Sequence, residues 1–285
     1  SAEPLPEWVF KGPVAEAGGV HTAQGSWNPA TGRFEPRRQL PVYQRQLFPE
    51  LLLGEGGPRP ADSGKTLLET DAVRVWTLDD EVLIATLKTK MRAISPDAGE
   101  GLMQAVDLAE RDYQGLVIWP GDDPFSVGAD LQAMLPGYVA GGAGLVDSME
   151  KELQELMLRL RYANVPTVAA IRGMALGGGC ELAVHCARRV AIMESYIGLV
   201  EVGVGLVPGA GGLAYIARRA AENAQASTGK DLLPFLTEGF TAAAMAKVGT
   251  SALESRKLGY LLESDVVVAH KDELLFVAIN EAKAM

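Results

Sequence analysis

Three consecutive glycines between a buried strand and a helix constrain this chain more than any other feature. The apolar run Val165–Ile171 is typical of a strand, and a helical pattern begins directly after the glycine run Gly177–Gly179. Adjacent glycines cost conformational entropy on folding, so they favour a place where the backbone comes very close to another group. The free N–H groups and the dipole at a helix start favour negative charge. With Glu181 on the first turn, the pattern predicts backbone donors for a developing oxyanion beside a carboxylate.

Composition argues against several classes of function. The chain has 285 residues with a formal net charge of -10, and no long basic stripe offsets that charge. We therefore expect no nucleic-acid partner. No stretch reaches the roughly 18 consecutive apolar residues of a membrane span, and no secretory pattern opens the sequence. Cys180 and Cys186 lie in one predicted helix, which favours buried thiols in a cytoplasmic protein over a disulfide.

The chain divides by composition into two parts. Residues 1 to 65 are rich in proline and glycine, show no sustained period and carry recurring aromatic residues. They predict an irregular segment or linker that packs on a neighbouring surface. Residues 66 to 285 alternate strand and helix patterns, which indicates an α/β domain with mostly parallel strands. We expect its C-terminal helical part to start at about residue 213.

Hydrophobic periodicity gives the predicted elements of this domain. The polar stretch Ala221–Gly239 is expected to be a mobile loop. Strands are predicted at Ala72–Leu78, Val82–Leu87, Gly115–Trp119, Val165–Ile171, Arg189–Met193, Tyr196–Gly198 and Asp265–Ala269, and helices at Gly99–Arg111, Val146–Tyr162, Gly178 to about Cys186 and Phe240–Leu262.

Three segments with glycines and carboxylates each follow a predicted strand. They are Phe125–Leu131, Arg172–Leu182 and Val200–Gly212. Ligands of open α/β sheets bind at the carboxyl ends of strands, so all three stand where a site is expected. Each segment alone is a weak signal, because most glycine-rich turns are only turns. A dinucleotide fingerprint at Gly203–Gly205 is disfavoured, since Pro208 takes the place of its third glycine.

Together, in order and spacing, these segments resemble the signatures of the enoyl-CoA hydratase/isomerase (crotonase) family. The resemblance extends from about Thr66 to the C-terminus and is strongest from Leu116 to Gly212. It implies an α/β ClpP/crotonase-like fold, a spiral of stacked ββα units with a C-terminal helical region. Family members usually form trimers or dimers of trimers, so a homotrimer or hexamer is expected.

The resemblance also implies the roles of individual residues. The backbone N–H groups of Ala129 and Gly178 would hold the thioester oxygen, and Glu181 and Glu201 would be the catalytic carboxylates. Coenzyme A enters as part of the substrate, so no metal and no separate cofactor are expected. The residues expected to bind the substrate are Lys88, Lys90, Arg92, Val127, Gly128, Asp130, Leu131, Gly177, Pro208 and Gly209.

Hydration of an enoyl thioester uses all four catalytic groups. Adding water builds enolate charge on the carbonyl oxygen, and each preorganised N–H donor stabilises that charge by about 3 kcal/mol. One carboxylate takes a proton from water while a second acid delivers a proton to C2. An enzyme that only moves a double bond can work with one carboxylate. The pair Glu181 and Glu201 therefore favours a hydratase acting on trans-2-enoyl-CoA in fatty-acid β-oxidation.

Some positions depart from the family pattern. The run Lys88–Arg92 stands where Arg-Pro and Asn-Ala are common; its three cations suit CoA phosphates, and a solvated basic turn is an equal alternative. Val127 replaces a usual alanine and would narrow the pocket. His185 follows Glu181 by one helical turn, where it either packs, contacts that residue or joins it at a metal.

The N-terminal segment and the region between Tyr113 and Tyr162 resemble, more specifically, the C-terminal hydratase-like part of long bacterial 3-hydroxyacyl-CoA dehydrogenase proteins. The chain begins with Ser1 and stops within a helical pattern at Met285, as expected for part of a longer polypeptide. An N-terminal NAD-binding dehydrogenase domain would then precede this one and oxidise its product.

Three alternatives stay open at this point. An enoyl-CoA isomerase on the same scaffold would act on 3-enoyl-CoA and tolerate the loss of one glutamate. A non-catalytic acyl-CoA binding or docking domain would bind CoA esters without turnover. A serine peptidase on a related fold would use Ser126, for which none of the three histidines has an evident partnering position.

Overall fold

The chain divides into two units, Ser1–Ser63 and Gly64–Met285. The computed structural model describes residues 4–22, 25–36, 40–48 and 63–285, without the side chains of 132–138 and 140. None of the helices in these ranges combines the length and the apolarity that crossing a bilayer requires.

The N-terminal unit contains a small antiparallel sheet where the sequence predicted only irregular structure. Two of its aromatic residues pack edge to face, with the ring centroids of Trp27 and Phe34 5.4 Å apart. Packing of this unit on a neighbouring surface stays a prediction. Its elements are α1 (Pro13–Glu16), β1 (His21–Thr22), β2 (Gly25–Asn28) and β3 (Arg33–Glu35).

A mixed sheet forms the centre of the C-terminal unit. Its strands are β4 (Lys65–Glu69), β5 (Val73–Thr77), β6 (Leu83–Leu87), β7 (Leu116–Ile118), β8 (Thr167–Leu176), β9 (Arg188–Gly198), β10 (Val248–Gly249) and β11 (Val266–Val268). The order is β10-β9-β8-β7-β6-β5-β4, with β11 paired to β9. Strands β6 to β9 run parallel, so the segments that follow β7, β8 and β9 leave from carboxyl ends of neighbouring strands.

Helices pack on this sheet. The long helix α3 is kinked at Gly142, where φ is 62°. The 3-10 turn Glu201–Val204 follows β9. The helices are α2 (Pro96–Asp112), α3 (Leu131–Arg161), α4 (Gly178–His185), α5 (Gly212–Ala226), α6 (Leu233–Ala244), α7 (Ala252–Lys257) and α8 (Leu274–Ala284).

Local sequence explains where α2 starts and how it packs. The Ser95 hydroxyl accepts a hydrogen bond from the Ala98 N–H at 3.2 Å, and Pro96 takes the first helical position. Both choices stabilise a helix N-terminus, and Asp97 complements the helix dipole. The apolar face of α2 packs on β5 and β6. Strand β7 is wholly buried, as its continuous apolar run Leu116–Ile118 predicts for a strand covered on both faces.

Three predictions of local structure are wrong. Helix α3 begins at Leu131 rather than Val146, because the glycine-rich stretch before Val146 breaks the helical pattern only at Gly142. Ala221–Gly239 is not a loop, since it holds the end of α5 and the start of α6. The predicted helix Phe240–Leu262 is interrupted by β10.

Candidate active site

Two backbone N–H groups come together where β7 and β8 end. The Gly128 carbonyl accepts the Ile94 N–H at 2.8 Å, and the Asp130 N–H donates to the Ile94 carbonyl at 3.3 Å. In this parallel bridge Ala129 directs its own N–H away from Ile94. Gly178 is the first residue of α4, so its N–H has no acceptor within the helix. Within the described ranges, neither N–H donates to a protein acceptor.

Glycines allow the two segments to approach this closely. Gly128 has a φ of +95°, and a Cβ at this position would lie 2.7 Å from the Gly178 nitrogen. A Cβ on Gly178 would lie 3.2 Å from the Ala129 nitrogen. Side chains are therefore excluded from the space between these donors. The structure places both predicted donors side by side, as an oxyanion hole requires.

Glu181 lies on the first turn of α4 with its carboxyl group buried. The N–H of Gly212, the first residue of α5, donates to its Oε1 at 2.7 Å. Burial is the main reason that the pKa of Glu181 rises to about 8, and the nearby charges of Glu201 and Glu150 act in the same direction. The group therefore keeps its proton at neutral pH more readily than an exposed glutamate does.

Glu201 opens the 3-10 turn after β9 and faces the same glycine loop. A Cβ on Gly177 would lie 3.3 Å from Oε1 of Glu201, so the glycine before the Gly178 donor also leaves room for this carboxyl group. Both carboxyl oxygens are buried and have no hydrogen-bond partner among the described residues. Burial raises the pKa of Glu201. A buried carboxyl group without a partner is typical of a functional site.

A third carboxyl group, which the sequence did not predict, comes from α3. A Cβ on Gly209 would clash with Oε1 of Glu150, while Nε2 of Gln154 donates to the Gly209 carbonyl at 2.8 Å. Burial raises the pKa of Glu150, and its charge raises the pKa values of Glu181 and Glu201. In the sequence Glu150 is one of several acids on an amphipathic helix, so nothing distinguishes it there.

Comparison with protein families decides the membership of this chain. Residues 79–249, more than half of the chain, match the model of the enoyl-CoA hydratase/isomerase family. The chain belongs to this family. A probable 3-hydroxyacyl-CoA dehydrogenase of Bacillus subtilis is 36% identical over 248 residues, which is 87% of this chain and 30% of that protein. A putative fatty acid oxidation complex trifunctional enzyme of Rickettsia felis is 37% identical over 147 residues, 52% of this chain and 20% of that protein.

Solved structures confirm the crotonase fold. Enoyl-CoA hydratase from Bacillus anthracis superposes with a TM-score of 0.60 at 22% identity, covering 75% of this chain and 76% of that one. An enoyl-CoA hydratase from Polaromonas gives a TM-score of 0.61 at 24% identity, again covering 75% and 76%. At such identities the likeness shows the fold alone. The chain spans less than a third of the length of the curated relatives named above.

Two of the three cations predicted to bind CoA are engaged elsewhere in this crotonase-family chain. The Lys88 ammonium lies 2.9 Å from a Glu69 carboxylate oxygen and donates to the Thr70 carbonyl. The Arg92 guanidinium donates to the Pro120 carbonyl through two nitrogens, both at 3.2 Å. Lys90 is exposed and makes no ion pair with any residue that the structure describes. CoA binding by this loop stays a prediction, with Lys90 as its freest cation.

Ser126 is a structural residue of the family fold. Its side chain is fully buried, its hydroxyl donates to the Arg92 carbonyl at 2.7 Å, and it accepts the Gly128 N–H at 3.2 Å. The three histidine rings contact other residues: His21 meets Ser26, His185 meets Glu181, and His270 meets Asp272. Without a histidine base, Ser126 does not form the nucleophile of a peptidase.

His185 packs under the site rather than entering it. Its Nδ1 lies 2.7 Å from the Glu181 carbonyl oxygen, and the ring lies against Gly211. Burial lowers the pKa of this imidazole. Of the three interpretations offered by the sequence, packing with a main-chain contact fits these distances. Among the described residues, no three His, Cys, Asp or Glu side chains are grouped to hold a metal ion.

The remaining predicted binding residues frame the oxyanion donors. The half-buried Val127 donates its N–H to the Met91 carbonyl at 3.3 Å. Leu131 starts α3 and is 43% exposed. Asp130 lines a cavity together with Ala129. Pro208 is buried in the glycine loop before Gly209. Their contacts with substrate stay predictions.

Proposed function

We propose that this chain is an enoyl-CoA hydratase, which adds water syn to trans-2-enoyl-CoA and gives 3-hydroxyacyl-CoA. The observation that carries the proposal is the pairing of two free backbone donors with two buried carboxyl groups. Ala129 and Gly178 supply the donors, and Glu181 and Glu201 supply the carboxyls. Each pair matches one need of the reaction, because charge and protons both move.

The backbone donors act on the thioester carbonyl. As the water oxygen forms a bond to C3, the electron pair of the double bond moves to C2 and onto the carbonyl oxygen. The N–H groups of Ala129 and Gly178 hold this enolate oxygen. They are fixed before the reaction begins, so they stabilise the charge without reorganisation.

The two carboxyl groups move the protons. One is ionised and takes a proton from the attacking water, while the other is protonated and delivers a proton to C2. The overall change adds one water molecule and leaves one proton on the pair. Since burial raises the pKa of both Glu181 and Glu201, sharing a single proton near neutral pH is reasonable for this coupled pair.

The state of Glu201 favours hydration over isomerisation. Both of its oxygens are buried without a partner among the described residues, so the group is free to bind water. An isomerase needs one carboxyl group that carries a proton between two carbons, and two would not be required.

Spectroscopy of the conjugated thioester tests the proposal. The purified chain should remove the ultraviolet absorbance of a four-carbon and a ten-carbon trans-2-enoyl-CoA, and mass spectrometry should find the product one water heavier. Conversion of 3-enoyl-CoA without hydration would show an isomerase. Tight binding of both thioesters without turnover would show a docking domain.

The relatives suggest the setting of the reaction. We propose that this chain is the hydratase part of a longer bifunctional protein, because its 3-hydroxyacyl-CoA product is the substrate named by the Bacillus subtilis dehydrogenase. A cytoplasmic location fits the free, buried thiols of Cys180 and Cys186. A homotrimer or hexamer is the expected assembly if the chain acts without such a fusion.

A further inference from the structure

A cavity of about 510 Å³ opens beside the oxyanion donor, between α2 and α3. We call it the α2–α3 cavity. Its volume lies in the range of small-molecule sites, which is roughly 300–1,000 Å³. Ala129 belongs to its wall, so a thioester held by the Ala129 N–H has one end at this opening. Its apolar lining consists of Ile94, Met103, Met149, Leu153 and Leu156.

The polar lining of the α2–α3 cavity is acidic. No lysine, arginine or histidine is among the described residues that line it. Four of the five acidic side chains are exposed, as expected at an opening, while Asp130 beside Ala129 is half-buried. Glu100 accepts a hydrogen bond from Nε2 of Gln104 at 3.1 Å, which leaves its charge in place. The acidic lining residues are Asp97, Glu100, Asp130, Glu152 and Glu155.

This charge decides which end of the substrate the cavity accepts. The phosphates of CoA are anionic, and carboxylates gathered at a concave opening repel them. The acyl chain is neutral and apolar, so it suits the apolar wall, and each buried methylene contributes about 0.8 kcal/mol of transfer free energy in general. The CoA part would then leave by the loop that carries Lys90.

We propose that the α2–α3 cavity holds the acyl chain and that its acidic opening selects against chains with an anionic end. The preferred substrates are enoyl-CoA esters with a neutral or cationic far end, and ω-carboxyacyl-CoA esters are disfavoured. This inference rests on the proposed function for the orientation of the thioester.

Binding measurements test this inference without depending on turnover. Calorimetry at low salt should compare decanoyl-CoA with its ω-carboxy counterpart. We expect the ω-carboxy ester to bind at least about tenfold more weakly, and the difference to shrink at high salt because exposed charges are screened. Replacing both exposed acids in Glu100→Gln/Glu152→Gln should bring the two affinities within about threefold of each other. In Glu100→Lys/Glu152→Lys the preference should reverse.

A matched control uses an acid that does not line the cavity. Glu238→Gln on α6 removes an exposed carboxylate and should leave the affinity ratio at the wild-type value. Equal affinities in the wild type, or an unchanged ratio in the Glu100/Glu152 variants, would overturn the inference. Absence of hydration despite the expected affinity ratio would instead count against the proposed reaction, which separates the two failures.

Discussion

The two halves of the candidate site are built in different ways. The oxyanion half consists of backbone, and glycines at 128 and 178 let the N–H groups of Ala129 and Gly178 meet. The acid–base half consists of side chains whose pKa values depend on burial and on one another. The backbone half is therefore fixed by local conformation, whereas the carboxyl half depends on packing from distant elements. The two halves should respond to different changes.

Removing either carboxyl group should give the largest effect. Glu181→Gln and Glu201→Gln keep the size of the side chain and remove its acid–base function, so hydration should fall by about 10²–10⁴-fold with little change in acyl-CoA affinity. Steady-state kinetics with a ten-carbon trans-2-enoyl-CoA measure the rate, and Glu238→Gln on the surface of α6 is the control. A variant that keeps more than about a tenth of the wild-type rate would contradict the two-carboxyl mechanism.

A side chain in the backbone half should act almost as strongly. Gly128→Ala puts a Cβ 2.7 Å from the Gly178 nitrogen at a φ of +95°, so one or both donors must move. Loss of one oxyanion donor costs about 10²–10³-fold in kcat. Gly229→Ala is the matched control, because nothing lies within 4 Å of that position. Normal kcat in a folded Gly128→Ala protein would show that the oxyanion binds elsewhere.

Much of this contrast could be predicted from the sequence. The glycine runs that build the oxyanion half lie close together along the chain and carry the family signature, so Ala129 and Gly178 were assigned together. Helix α3 was predicted only from Val146 onward, so its N-terminal half beside the oxyanion hole was missed. Glu150 escaped for a different reason, since its position against Gly209 depends on tertiary packing that one helix pattern does not reveal.

Changing Glu150 tests the influence of packing on the carboxyl half. Its charge raises the pKa values of Glu181 and Glu201, so Glu150→Gln should lower both. If the protonated member of the pair is the acid, activity falls as pH rises through its pKa. The alkaline limb of the kcat profile should therefore move to lower pH, while the rate at the optimum stays within about tenfold. Asp147→Asn, on the same helix and paired with Lys151, should not move the limb.

The smallest effect concerns stability. Glu181 ionises at a pKa of 4.5 in its ordinary state and at about 8 in the fold. Between these values the unfolded chain loses the proton that the fold keeps, so this group makes stability decline as pH rises. Glu181→Gln lacks that decline. Its Tm should gain on the wild type from pH 5 to pH 8, by roughly 2–4 °C per kcal/mol. A constant difference in Tm across this range would mean that Glu181 is not held protonated.

Transfer of oxygen from solvent to product tests the central claim most directly. The wild-type chain and Glu201→Gln are incubated with a ten-carbon trans-2-enoyl-CoA in water labelled with a heavy oxygen isotope, and the thioesters are analysed by mass spectrometry. Hydration predicts one labelled oxygen in the 3-hydroxyacyl-CoA from the wild type and almost none from Glu201→Gln. Unlabelled thioester with only a shifted double bond would contradict the assignment as a hydratase.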